Sequence, residues 1–191
     1  MGDRGMGSTA GARRGWAAMA AAALTLLAGA APLSPVMGQR KADPKLLARG
    51  QYLAAVMDCG GCHTPGAVVG KPDEGRRLAG SDIGFGLGPG AAEGVVYPKN
   101  LTPDRDTGLG AWTDDQIIRA IRAIRAGQSR DGRVLAPVMP WPSYAALTMP
   151  DARALVAYLR SIPAVKFEVP ANVKPGERPV KPYLTAVDPA K

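Results

Sequence analysis

The sequence predicts an all-α fold, with three main helices and long loops. Two observations carry this prediction. Apolar residues recur at helical spacing in three segments, and each segment follows a residue that caps helices well. Residues 64–111, between the first two segments, are rich in Gly, Pro and Asp. We expect a long irregular loop there, with no sheet.

The first helix is predicted to begin at Pro44, with Asp43 as its N-cap. It leads directly toward a pair of cysteines. Its helical repeat consists of Leu46, Gly50, Leu53 and Met57. Glycine costs up to about 1 kcal/mol inside a helix, so Gly50 indicates the close approach of another helix, the alternative being a glycine that is merely tolerated.

The second helix is predicted after Thr113, where Gln116 completes a capping box, and Gly127 is expected to end it. Its buried stripe is predicted to be Ile117, Ala120, Ile121 and Ile124.

The third helix is predicted after Thr148, with Asp151 three residues on, and should end before Pro163. Its apolar stripe is predicted to be Ala152, Leu155, Val156 and Leu159.

The N-terminal 38 residues have the order of a secretory signal peptide. Arg4, Arg13 and Arg14 precede an apolar run at 16–31, and small residues follow near Gly38. The run is shorter than the roughly 20 residues of a spanning helix, so we expect cleavage near Gly38 and a soluble periplasmic product, with a retained membrane anchor as the alternative. The expected organisation is a signal peptide at 1–38, one domain at 39–163 and an extended Pro/Lys-rich tail at 164–191.

The chain is basic, with a formal charge of +8 over 191 residues. Removal of residues 1–38, which hold three arginines and one aspartate, would leave +6. This charge favours an acidic partner surface, or serves solubility alone. We expect no nucleic-acid binding, which calls for clustered basic and aromatic residues.

Residues Cys59, Cys62 and His63 form the pattern C-x-x-C-H, the signature of c-type haem attachment. Two thiols three positions apart on a helical turn can form thioethers to both haem vinyl groups, and the next residue places an imidazole beneath the iron. A structural zinc site needs four Cys or His ligands, and only three exist in this chain. A thioredoxin-like redox pair of cysteines lies near a βαβ unit, which the sequence does not indicate.

The sixth iron ligand cannot be a second histidine, because the chain has one. Met57 lies on the helix entering the motif and Met149 lies at a helix cap, so Met139 is the best candidate. Three prolines surround Met139 in residues 135–142 and should stiffen its loop. Gap-filling core packing is the alternative for this methionine. Ligation by His63 and Met139 would favour a relatively high reduction potential.

These motifs resemble the class I cytochrome c domains of periplasmic alcohol-type dehydrogenase cytochrome subunits. The resemblance covers residues 46–162 and rests on the haem motif with residues 100–104 (NLTPD), 107–115 (TGLGAWTDD) and 139–144 (MPWPSY). It implies a cytochrome c fold, His and Met axial ligands, and one haem c held by Cys59 and Cys62. It also implies that Trp112 and Tyr144 pack near the haem.

The expected function is single-electron transfer from a dehydrogenase partner toward the respiratory chain, without catalysis or a small-molecule substrate. Haem supplies the electron chemistry, and the protein sets its potential. The alternative is a haem sensor or ligand-binding enzyme with an open sixth position. Met139 decides between these two functions.

Overall fold

The computed structural model describes residues 43–122 and 135–187. The predicted signal peptide, Ile124 and Gly127 lie outside these residues. Five α-helices occur in the described part: α1 (Pro44–Val56), α2 (Cys59–His63), α3 (Asp114–Arg122), α4 (Trp141–Tyr144) and α5 (Met149–Ser161). The predicted all-α class is confirmed, and the three main helices are α1, α3 and α5.

The three predicted helix starts are confirmed by their caps. The Asp43 carboxylate accepts a hydrogen bond from the Lys45 amide at 2.9 Å. The Thr113 and Gln116 side chains each accept from the other residue's amide, at 3.2 and 3.0 Å. The Thr148 hydroxyl accepts from the amide of Asp151. Each cap satisfies amides that have no partner within the helix.

The approach of α1 to α5 takes place at Gly50, as its position in the helical repeat predicted. A Cβ atom placed there would lie 2.7 Å from Tyr158 Cβ and closer still to the carbonyl oxygen of Ala154. Glycine therefore allows the two helix backbones to touch. At the edge of this contact, the Arg49 guanidinium pairs with the Asp151 carboxylate at 2.8 Å.

The prediction that the long loop holds no sheet is wrong in one region. Strands β1 (Gly84–Gly86), β2 (Val95–Val96) and β3 (Tyr183–Leu184) form a small sheet in the order β2-β1-β3. Strand β1 runs antiparallel to β2 and parallel to β3. A Cβ atom at Gly84 would lie 2.6 Å from Val95 Cγ1, so the alternating glycines permit this close pairing.

The segment after Pro163 lies against the loop before α3. Val173 and Val95 exchange both backbone hydrogen bonds, at 2.8 and 3.0 Å. The Asn100 side-chain amide donates to the carbonyl of Val165 at 2.8 Å. We call residues 164–187 the tail segment.

Two buried clusters form the core. One joins α1 to α5 and contains Leu53, Ala54, Leu78, Ala154, Leu155 and Leu159. The other joins α3 to α5 and contains Ile117, Ile118, Ala152 and Val156. The stripes predicted for α3 and α5 thus face the core. In α3, however, the buried residues are Ile117 and Ile118, whereas the predicted Ala120 and Ile121 are half-buried.

Within residues 43–122 and 135–187, the structure contains no helix that is long and apolar enough to span a bilayer.

Candidate functional site

A cavity of about 920 Å³ opens between α2, α3, α5 and the loops that precede α3 and α4. Its volume is at the upper end of the range for ligand pockets, about 300–1,000 Å³. All six residues predicted for the site line this one cavity: Cys59, Cys62, His63, Trp112, Met139 and Tyr144. The structure thus brings together side chains that are up to 85 positions apart in the sequence.

Both cysteines lie on α2, a single helical turn. Asp58 precedes this turn in the left-handed backbone conformation, with φ at 50°, which aspartate tolerates better than most residues. Its left-handed backbone separates α1 from α2. The two thiols are free and line the cavity together, as the helical spacing predicted.

Burial and the neighbouring carboxylate of Asp58 raise the pKa of the Cys59 thiol to about 11. The same two causes raise the pKa of Cys62. Both thiols are therefore protonated at neutral pH, whereas redox-active cysteines have a lowered thiol pKa. This difference disfavours the thioredoxin-like alternative. Among the described residues, no three His, Cys, Asp or Glu side chains converge on a metal position.

The His63 ring is held in one orientation. Its Nδ1 lies 2.7 Å from the carbonyl oxygen of Lys99. A carbonyl can only accept, so Nδ1 carries the proton and Nε2 keeps its lone pair. Burial also lowers the pKa of His63, although the hydrogen bond to Lys99 acts in the opposite direction. The imidazole is therefore neutral at pH 7, the form that binds iron.

Met139 lies in a short turn that precedes α4. Its amide donates to the carbonyl of Ala136 at 2.9 Å, and its carbonyl accepts from the Trp141 amide at 2.7 Å. These local bonds fix the backbone at Met139, which lines the cavity.

Met57 and Met149 are the other methionines in the sequence after residue 38. Met57 also lines the cavity, but it packs against the buried cluster between α1 and α5. Met149 does not line the cavity, and its sulfur accepts a hydrogen bond from Arg122 at 2.7 Å.

Tyr144 connects α4 to the end of α1. Its side chain is buried, and its hydroxyl donates to the carbonyl of Met57 at 2.7 Å. Burial, followed by the nearby Cys59, raises the pKa of Tyr144 to about 12. The phenol therefore remains a donor across the physiological range and holds α4 against the segment that carries the cysteines.

Trp112 lies at the opposite end of the long loop, just before α3. It packs against the buried cluster between α3 and α5. The Arg160 guanidinium of α5 donates to the carbonyls of Leu109 and Trp112 and to the carboxylate of Asp114. This contact fixes the loop to α5 where the loop forms the cavity wall.

The sequence did not predict the acceptor for His63. The Lys99 carbonyl is a backbone group and has no side-chain signature, although residues 100–104 next to it carried part of the resemblance. The remaining wall is mostly apolar and includes Leu101, Leu109, Ile117, Leu155 and Leu159. When the cavity is filled, such a wall keeps water out, which strengthens the electrostatic interactions inside.

The cavity fits a covalently bound haem in three respects. Its volume suits a large, flat and mostly apolar group. Two thiols and one imidazole with a free Nε2 are on its wall. A thioether group, that of Met139, is also on the wall and could complete the axial pair.

The family model for cytochrome c matches residues 47–163, more than half of the chain. A nicotinate dehydrogenase subunit of Pseudomonas putida is 39% identical over 166 residues, which cover 87% of this chain and 13% of the relative. The gluconate 2-dehydrogenase cytochrome c subunit of Pantoea cypripedii is 38% identical over 118 residues, 62% of this chain and 23% of the relative.

The cytochrome c subunit of the alcohol dehydrogenase (quinone) of Gluconobacter oxydans is 36% identical over 117 residues, 61% of this chain and 21% of the relative. The chain thus spans less than a quarter of the length of each of these relatives. The matches confirm the predicted resemblance and the cytochrome c fold. This chain belongs to the cytochrome c family, whose members carry covalently attached haem c.

Proposed function

We propose that this chain is a monohaem c-type cytochrome that carries single electrons. The observation that supports this most is the convergence of Cys59, Cys62, His63 and Met139 on one cavity. The chain has only these two cysteines and this one histidine, so it can attach one haem through a C-x-x-C-H motif. When bound, the haem supplies an iron that alternates between the ferrous and ferric states.

The residues of the chain hold and tune this group. The Cys59 and Cys62 thiols would form thioethers with the haem vinyl groups. Both thiols are protonated before that reaction. Nε2 of His63 would bind the iron, with the ring fixed by the Lys99 carbonyl. A hydrogen bond of this kind orients a metal-bound histidine and makes it a better electron donor to the metal.

Met139 is the proposed sixth ligand. Met57 precedes Cys59 by two residues and packs against the core between α1 and α5. Met149 has its sulfur engaged by Arg122. Met139 instead reaches the cavity from the loop before α4, far along the chain from His63.

The proposed partners are a dehydrogenase as donor and a respiratory-chain component as acceptor. All three of the relatives described above are named as subunits of dehydrogenases, and two are named as cytochrome c subunits. We further propose that residues 1–38 direct export and that the carrier works in the periplasm, because the basic and apolar order of that segment is typical of a secretory signal. Electron carriage without catalysis is the role expected for this chain.

The test uses the full chain expressed with a haem-attachment system. Mass spectrometry and the optical spectrum should show one covalent haem per chain. The oxidised protein should show a near-infrared sulfur-to-iron charge-transfer band. The band should be lost in Met139→Leu and retained in the matched control Met57→Leu.

Two results would overturn parts of the proposal. Loss of the band in Met57→Leu, but not in Met139→Leu, would reassign the sixth ligand. Absence of the band from the wild type, with rapid carbon monoxide binding by the reduced protein, would favour the sensor or ligand-binding alternative.

A further inference from the structure

We propose that the tail segment positions the Lys99 carbonyl that orients His63, and thereby helps to set the reduction potential of the site. This inference rests on the proposed function, because it concerns the ligand His63. It concerns residues beyond the family match, which ends at 163.

The tail segment would act on the hydrogen bond between His63 Nδ1 and Lys99 O, which is 2.7 Å long. Lys99 is in the loop before α3, with no regular element of its own. Its position is therefore defined by the contacts of its neighbours. On one side, the Ser81 amide donates to the carbonyl of Pro98 and the Leu101 amide donates to that of Leu78.

On the other side, the contacts come from the tail segment. The Lys99 ammonium donates to the carbonyl of Pro170 at 3.1 Å. The Tyr97 amide donates to Oδ1 of Asn172 at 3.2 Å. The Asn100 side chain donates to the carbonyl of Val165 at 2.8 Å. Tail residues thus contact Lys99 itself, the residue after it and the residue two positions before it.

The contacts continue in both directions along the chain. Val173 and Val95 exchange two backbone hydrogen bonds. The Thr102 hydroxyl accepts from the amide of Val165 and donates to its carbonyl, at 3.1 and 3.2 Å. Thr102 and Asn100 are themselves buried. Residues 95–102 are therefore hydrogen-bonded to residues 165–173 at several positions, and the Lys99 carbonyl, the acceptor for His63, lies in the middle of the first segment.

Weaker contacts between these two segments should weaken the hydrogen bond between His63 Nδ1 and Lys99 O. An imidazole whose Nδ1 proton is tightly shared is more basic at Nε2 and gives more electron density to the iron, which favours the ferric state. Loosening the acceptor should therefore raise the reduction potential. A merely structural role of the tail segment would lower stability and leave both the Nδ1 proton and the potential unchanged.

The principal variant is Asn172→Ala, which removes the acceptor for the Tyr97 amide without changing charge. In the reduced holoprotein, we expect exchange of the His63 Nδ1 proton, measured by NMR, to accelerate about tenfold. The equilibrium constant for reduction should rise about twofold to fivefold, or roughly 20–40 mV at about 59 mV per tenfold change. Asn172→Asp keeps an acceptor oxygen and should restore slow exchange.

A second variant tests the proposal independently, in case Asn172→Ala does not fold. Lys99→Met removes the contact with Pro170 and leaves the carbonyl that binds His63, so its Nδ1 proton should also exchange faster. The matched control is Lys166→Met, which removes a positive charge from the same tail segment and breaks an exposed ion pair with Asp106. Its proton exchange should be unchanged.

The inference is overturned if both variants fold with wild-type exchange of the Nδ1 proton, or if Lys166→Met accelerates it equally. Failure of the proposed function looks different. In that case the wild type itself would lack covalent haem or an iron-bound His63, which refutes both proposals before any variant is compared.

Discussion

The contact of α1 with α5 at Gly50 provides the sharpest test of the packing. We consider Gly50→Ala. The added Cβ would lie 2.7 Å from both Tyr158 Cβ and the carbonyl carbon of Ala154, and closer to the carbonyl oxygen. Because two of these atoms belong to the backbone of α5, no side-chain rotation relieves the overlap. The two helices must move apart.

The expected change in the free energy of unfolding of Gly50→Ala follows from two opposing effects. Alanine gains up to about 1 kcal/mol over glycine inside a helix. Overpacking of a core typically costs about 1–3 kcal/mol, and a rigid backbone contact belongs at the upper end. We expect a net loss of about 1–2 kcal/mol in the free energy of unfolding. For a chain of this size that corresponds to a Tm about 2–8 °C lower, at about 2–4 °C per kcal/mol.

The assay is thermal unfolding of the haem-loaded protein, followed by circular dichroism. Gln51→Ala is the matched control, since Gln51 is exposed on the same helix and its substitution should change stability by less than about 0.5 kcal/mol. The optical spectrum should also change in Gly50→Ala, because Leu155 and Leu159 of α5 line the cavity. A Gly50→Ala protein as stable as the wild type or more so would refute the reasoning.

Two further predictions concern the cavity wall. Tyr144→Phe removes the hydrogen bond to the Met57 carbonyl and should destabilise the protein by about 0.5–1.5 kcal/mol, the net contribution of a typical hydrogen bond, since Met57 is half-buried; unchanged denaturant unfolding would contradict this. Asp58→Asn removes a carboxylate from the cavity wall and should raise the midpoint potential by about 20 mV, the value for unit charges about 10 Å apart in water. The shift should shrink at high salt. A lower potential, or an equal shift in the exposed tail variant Glu177→Gln, would exclude this electrostatic role.

Local chemistry explains what the sequence could predict. Helix starts depend on residues within three positions of one another, and the caps at Asp43, Thr113 and Thr148 therefore stand where their side chains indicated. The spacing of Cys59, Cys62 and His63 is equally local, and these residues lie together on the cavity wall.

Features that depend on partners far along the chain could not be predicted from the sequence. Strand β1 pairs with β3, about 100 residues later, and three residues with two glycines carry no strand pattern. The helix α4 spans four residues, which is too short for a helical repeat to show. The acceptor for His63 is a main-chain carbonyl, and any residue type at position 99 supplies one.

The apolar wall of the cavity has a consequence for how the protein is made. The cavity opens to solvent, and most of its wall is apolar. Without haem, water contacts that wall, and the stabilisation that burial of apolar surface gives, about 25 cal/mol per Å², is lost there. The haem-free chain should therefore be less stable than the haem-loaded protein. A cell that fails to attach the haem should degrade the polypeptide, since the unfolded fraction is what proteases remove.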